Sequence, residues 1–255
     1  MNVERPLEPK KRAIVVGASS GIGAALVRHL AKQGYLVAAL ARREAKLQEL
    51  CEQVNVAVEN GRALPYTHNV TDYDTIPSLF QTIVHELGGL DLIVYVAGVQ
   101  PTVALNEYDF EKDQAMINVN VLGAIAWLNQ AALRFERAGS GQIVGIGSIA
   151  GDRGRVGSPV YNSSKAALAT YLEALRNRLT RHGVSVTTIK LGFVDTVLLE
   201  NAAKTFWVIS AQEAAERIYQ AAQQNKQTVY IPARWRLVGL IIQHIPSFVF
   251  RRLSF

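Results

Sequence analysis

The chain has 255 residues, 49% apolar and 19% charged, with one cysteine. That length and balance suit a single well-cored domain and exclude a disordered or fibrous chain. The net charge is +6, but residues 1–216 hold 21 basic and 21 acidic side chains, so the whole excess lies in the last 39 residues; a broad nucleic-acid-binding face is excluded and a local role at the C-terminus is expected.

Residues 1–12 are charged and contain proline, with no apolar core of the kind a secretory signal needs. They read as an N-terminal extension. Cys51 alone makes no internal disulfide, and no Cys/His cluster points to a metal. A reducing compartment, the cytoplasm, is the expectation. The domain proper reads as 13–233, and 234–255 as an apolar, basic C-terminal extension.

Ala13 to Val16 is a short apolar run, as a strand buried on both faces requires. It runs into Gly17-Ala18-Ser19-Ser20-Gly21-Ile22-Gly23, and a helical pattern follows with Leu26, Leu30 and Ala31 on one face. Strand, glycine-rich turn and helix is the context of a dinucleotide-binding loop. The glycines admit a pyrophosphate close to the backbone, and the helix start offers free N–H groups and a positive dipole end. Tyr35 to Leu40 reads as the second strand. A site for NAD would carry an acid at its end; here Ala41 is followed by Arg42 and Arg43. Two cations suit a 2′-phosphate, so NADPH is expected over NADH.

Helix over 45–58, strand over 63–66, turn over 68–72, helix over 76–87 and strand over 90–96 continue the alternation. It predicts a three-layer, doubly wound parallel sheet, a Rossmann fold of about seven strands with helices on both faces. A long helical stretch spans 110–139 with Asn118 and Asn120 near its middle. Strand five, 142–146, leads to Gly147-Ser148. Strand six spans 184–190, a helix 211–223, and a last strand 228–231. Ligands bind outside the carboxyl ends of such strands, which is where Ser148 falls.

Thirteen residues after Ser148 comes Tyr161-Asn162-Ser163-Ser164-Lys165. On a helix, Tyr161 and Lys165 share one face, and an ammonium near a phenol lowers the phenol's pKa. A tyrosine so tuned exchanges a proton with a carbonyl or alcohol oxygen near neutral pH. Tyr108 and Lys112 repeat the spacing, but no strand end precedes them, and a solvated helix face is expected there.

Assembled, these residues resemble the short-chain dehydrogenase/reductase family in its single-domain form, from Ala13 to about Pro232. Gly17, Gly21 and Gly23 match its cofactor loop; Asn120, Ser148, Tyr161 and Lys165 match its catalytic set in order and spacing. The resemblance implies hydride transfer between NADPH and a carbonyl or secondary alcohol. Tyr161 would be the acid/base, Ser148 would hydrogen-bond the substrate oxygen, Lys165 would lower the Tyr161 pKa and hold the nicotinamide ribose, and Asn120 would support a water leading to Lys165. Cofactor contacts are implied along Gly17, Ser19, Ser20, Gly21, Ile22 and Gly23, at Arg42 and Arg43, at Asn69 and Val70, at Ala97 and Gly98, at Tyr161 and Lys165, and at Gly192, Val194 and Thr196. A homodimer or homotetramer is also implied. The chain departs from the family at Tyr95-Val96-Ala97-Gly98, where two asparagines are usual, at Asn69-Val70, where Asp-Val is usual, and at Leu191-Gly192, where Pro-Gly is usual.

In the C-terminal extension, residues 235–246 form an apolar run too short and interrupted to span a membrane. It packs on the core or a second subunit, or lies on an anionic membrane as a peripheral contact, or borders a greasy substrate entrance. A similarity to reductases of decaprenylphosphoryl 2-keto sugars favours an apolar or lipid-linked substrate. A cofactor-binding sensor or scaffold without turnover is the competing class, as is a membrane-peripheral reductase of lipid-linked sugars. The complete catalytic set argues against the sensor.

Overall fold

The computed structural model describes residues 11–59, 62–197, 199 and 205–253. Seven parallel strands form one sheet in the order β3-β2-β1-β4-β5-β6-β7. They are β1 (Lys11–Val16), β2 (Tyr35–Ala41), β3 (Arg62–Thr67), β4 (Leu92–Tyr95), β5 (Gly141–Ser148), β6 (Val184–Leu191) and β7 (Thr228–Ile231). The chain order reverses between β1 and β4, so the crevice above their carboxyl ends is the topological switch point where such sheets take ligands. This is the predicted doubly wound architecture.

Alternation along each strand feeds two separate cores. Ala13 and Val15 of β1 join the core under helices α1 (Gly21–Lys32), α2 (Glu44–Ala57) and α7 (Ala211–Gln223). Ile14 and Val16 join the other, under α3 (Ile76–Leu87), α5 (Gly123–Ala138) and α6 (Pro159–Leu179). Because both faces are covered, the central strands β1, β2 and β4 read as apolar runs.

The predicted helix over 110–139 is not regular. Helix α4 (Phe110–Ile117) passes through one π-helical turn, Asn118–Leu122, before α5. Widening the turn frees carbonyls that an α-helix would pair. Two tyrosine hydroxyls take them: Tyr73 donates to Asn118 O at 3.1 Å and Tyr95 to Val119 O at 2.6 Å. Gly123 makes room, since a Cβ there would lie 2.6 Å from the Tyr95 hydroxyl.

After β7 the chain forms α8 (Trp235–His244) and the single-turn α9 (Ser247–Phe250). Trp235 is buried, and Gly239 lets α8 approach the domain, for a Cβ there would lie 2.6 Å from Asp152 Oδ2. Asp152 in turn pairs with Lys190 of β6 and accepts from the Tyr230 hydroxyl at 3.0 Å. Arg153 closes the carboxyl end of α8 by donating to Ile242 O at 2.7 Å and to Ile245 O, and stacks 4.0 Å from the Phe250 ring centroid.

Candidate active site

At the switch point the glycine loop is shaped by contact. Gly17 has φ +99, and a Cβ on it would lie 2.5 Å from Ala97 N. At Gly23 a Cβ would lie 2.0 Å from Gly17 O, so the start of α1 closes against the end of β1 only without side chains. Gly21, φ +53, faces the Thr196 methyl at 3.0 Å from a built Cβ. Ser20 stands at the N-cap of α1 without capping it, because its hydroxyl serves Arg43 instead. The first N–H groups of α1 thus have no side-chain cap and face the crevice with the positive end of the helix dipole.

Arg43 decides the charge at this rim. Its guanidinium reaches from the end of β2 to Ser19 Oγ at 2.9 Å and Ser20 Oγ at 2.6 Å. Arg42 is exposed beside it. One forked cation and two hydroxyls therefore converge beside the helix start, with no carboxylate among them. That donor set fits a phosphate group.

The sequence-predicted residues converge across four elements. Ser148 ends β5; its Oγ accepts from Ala150 N at 3.1 Å and lies 3.4 Å from Leu191 O. Tyr161 is in the first turn of α6, after a left-handed Ser158 and a Pro159 that start the helix. Its hydroxyl faces that of Ser148, which favours the phenolate. Lys165, one turn later, is buried, with Nζ donating to Ile146 O at 3.1 Å and lying 5.7 Å from the Tyr161 ring centroid. Asn120, fully buried on the π-turn, accepts from Val99 N at 2.8 Å and donates to Val99 O at 3.0 Å and Ser164 Oγ at 3.1 Å. A Cβ on Gly98 would lie 3.3 Å from Asn120 Oδ1 and 3.4 Å from Lys165 Nζ, so the exit of β4 roofs both.

Electrostatics here differ from the simple pairing expected of the Tyr161–Lys165 spacing. Burial raises the Tyr161 pKa above its ordinary value; the groups opposing that rise are the Ser148 hydroxyl and the Arg155 guanidinium. Burial also depresses Lys165 to about 8, since its ammonium has lost water, although it donates to the Ile146 carbonyl.

Three residues escaped sequence reasoning. Arg155 reaches the site through a loop that Asn162 pins, donating to Gly157 O at 3.0 Å and lying 3.4 Å from both Arg155 O and the Arg155 guanidinium. Ser164 bridges α6 to Asn120, donating to Tyr161 O at 2.8 Å. Ser164 belongs to the Tyr-x-x-x-Lys stretch, whose intervening positions gave no signal, and Arg155 lies six residues before it. The third, Tyr95, was visible only as a missing asparagine.

Of the remaining cofactor positions, Val70 is buried and Asn69 caps its own turn through Asp72 and Thr71 at 3.5 Å. Ala97 N donates to Val16 O at 2.9 Å. Gly192 lies under Trp235: a Cβ would come 1.9 Å from its indole nitrogen. Val194 bridges to Ile209, and Thr196 Oγ1 reaches Val194 O at 3.3 Å. Phe193, Phe206, Trp207 and Trp235 then form one aromatic cluster with centroids 5.1–5.6 Å apart, the Trp207 face carrying Arg234 at 5.0 Å. Residues 198 and 200–204 lie outside the described residues, as do positions 1–10. The alternative pair separates: Tyr108 is 92% exposed and Lys112 is bound to Glu107.

A cleft of about 430 Å³ at the opposite end of β5 and β6 includes Arg176. That cation is already spent on Val186 O, Thr188 Oγ1 and Gln227 O, and the cleft faces the amino ends of the strands. It is not the site.

Comparison with known proteins agrees with this geometry. The short chain dehydrogenase family model matches residues 11–230. An uncharacterized oxidoreductase of Myxococcus xanthus is 34% identical over 230 residues, 89% of this chain and 88% of the relative. An uncharacterized oxidoreductase of Mycobacterium tuberculosis is 26% identical over 224 residues, 88% of each. Among solved structures, NADP-bound ElxO superposes with a TM-score of 0.78 at 23% identity, over 88% of this chain and 97% of that one, which shows a shared fold. With its sheet order, its glycine loop and a family match spanning almost all of that sheet, this oxidoreductase belongs to the short chain dehydrogenase family.

Proposed function

We propose that the chain transfers hydride between NADPH and the carbonyl carbon of an apolar substrate, with Tyr161 as the acid/base. The observation that carries this is the arrangement at the carboxyl end of β5, where Ser148 ends the strand and α6 brings Tyr161 and the buried Lys165 against it, with Lys165 Nζ donating to Ile146 O at 3.1 Å.

The residues present fit a dinucleotide. Gly17, Ser19, Ser20, Gly21, Ile22 and Gly23 would hold the pyrophosphate, Arg43 with Ser19 and Ser20 the 2′-phosphate, and Lys165 the nicotinamide ribose. Arg43 supports NADPH over NADH, and the NADP bound to ElxO agrees. When bound, the reduced nicotinamide supplies the hydride. Ser148 donates a hydrogen bond to the carbonyl oxygen and polarises it. Tyr161 then donates its proton to that oxygen as negative charge develops, and Ser148 and Arg155 stabilise the phenolate left behind. Asn120 fixes the exit of β4 over Lys165 through its paired bonds to Val99. The aromatic cluster of Phe193, Phe206, Trp207 and Trp235 borders the substrate side and favours an apolar substrate.

The test is NADPH oxidation against a panel of aldehydes and ketones with wild type and Tyr161→Phe. We expect kcat to fall by roughly a thousandfold or more in the variant, with NADPH binding retained. Equal turnover by the two proteins would overturn the mechanism.

A further inference from the structure

Helix α8 is apolar on both sides. One side carries Trp235 and Gly239 against the domain. The other presents Leu237, Leu240 and Ile241, spaced i, i+3 and i+4 on one face, and they are 66%, 54% and 63% exposed. Phe248 of α9 is 62% exposed and Val249 lies beside it. Isolated surface leucines are ordinary, but five large apolar side chains within thirteen residues form a patch that needs a cover.

The charge that the C-terminal segment itself carries has one sign. Arg234, Arg236, Arg251 and Arg252 are all exposed, and no Asp or Glu occurs after Glu216. A second copy meeting this patch across a two-fold axis would set arginines against arginines. An anionic lipid surface complements both features at once, taking the apolar side chains below the headgroups and the guanidiniums among the phosphates. The element is also stiff enough to present the patch as a unit: Arg153 ties down the end of α8 and the turn into α9, and Gly239 seats the helix on Asp152 and Tyr230.

We propose that α8 and α9 form a docking surface for anionic membranes, lying in the headgroup plane with Leu237, Leu240, Ile241 and Phe248 inserted. This is independent of the reaction assigned above. It places the aromatic cluster near the bilayer, because Trp235 is the first residue of α8 and a member of that cluster.

The experiment is co-flotation of the full-length protein with vesicles of phosphatidylcholine alone and of an equimolar phosphatidylglycerol–phosphatidylcholine mixture. Leu237→Glu/Ile241→Glu and Arg236→Gln/Arg251→Gln/Arg252→Gln are carried alongside. Melting temperature and NADPH binding serve as folding controls, and sedimentation velocity gives the oligomeric state. We expect wild type to float with the anionic vesicles and at least about tenfold less with the neutral ones. Each variant should lose about tenfold or more of that binding with melting unchanged, and high salt should weaken it. Failure of wild type to bind anionic vesicles, or equal binding by the folded variants, overturns the proposal. If the glutamate variant instead dissociates an oligomer while wild type ignores lipid, the patch is a subunit interface and the proposal is equally overturned.

Discussion

Lys165 is held at a cost that the fold does not recover without a ligand. Its depression from 10.5 to about 8 corresponds to about 3 kcal/mol at ~1.36 kcal/mol per pH unit. Below pH 8 the lysine is charged in folded and unfolded chains alike, and the folded chain bears the whole penalty. Above 10.5 it is neutral in both and the penalty vanishes. Lys165→Met should therefore raise the melting temperature of the cofactor-free protein at neutral pH, with the gain shrinking as pH climbs from 8 to 10.5, and should lose activity; a variant that melts lower at pH 7 contradicts this. Arg155 acts in the opposite sense on Tyr161. Removing it takes away a lowering influence, so Arg155→Leu should move the pH profile of alcohol oxidation, which needs phenolate, to higher pH and slow it at a fixed neutral pH by about three- to tenfold. An unmoved profile would show that the guanidinium does not reach the phenol.

At the scale of elements, legibility followed physics. Strands buried on both faces announce themselves as apolar runs, so β1, β2 and β4 were placed within two residues of where they lie. The π-turn was not legible. Apolar periodicity over 110–139 is that of an ordinary helix, and the extra residue in the turn depends on Tyr73 and Tyr95, far away in sequence. Arg43 and Arg42 were equivalent as letters; only the strand-end geometry sends Arg43 to Ser19 and Ser20. Tyr95→Phe keeps the ring in the core and strips the hydroxyl from a buried carbonyl. It should cost about 1–3 kcal/mol of stability and lower kcat more than it raises KM, because Asn120 sits on the same turn. Unchanged melting and kinetics would make Tyr95 a mere filler. Arg43→Leu should weaken NADPH by about tenfold or more, with little effect on NADH, in a direct binding titration.

Across the whole molecule, the carboxyl edge of the sheet, residues 192–194 and 206–209 and the C-terminal helices pack together. Gly239 is the seat of α8, and nothing in the sequence distinguished it from the other glycines; the neighbours that crowd it, Asp152 and Tyr230, come from distant segments. Gly239→Val should unseat α8, lower the melting temperature by several degrees and raise KM for apolar carbonyls while leaving NADPH affinity intact; retention of wild-type KM would separate α8 from the substrate side.

Two of the three tryptophans, Trp207 and Trp235, stand in the cluster that borders the site, whereas Trp127 is sealed in the opposite core. The chain thus carries its own optical reporter. Reduced nicotinamide absorbs where indoles emit, so on the proposed function a dinucleotide at the crevice would accept excitation from that pair, and an apolar ligand drying the exposed edge of Trp207 would shift its emission to the blue. Fluorescence on unlabelled protein would then report occupancy of either half of the proposed site before any turnover substrate is found.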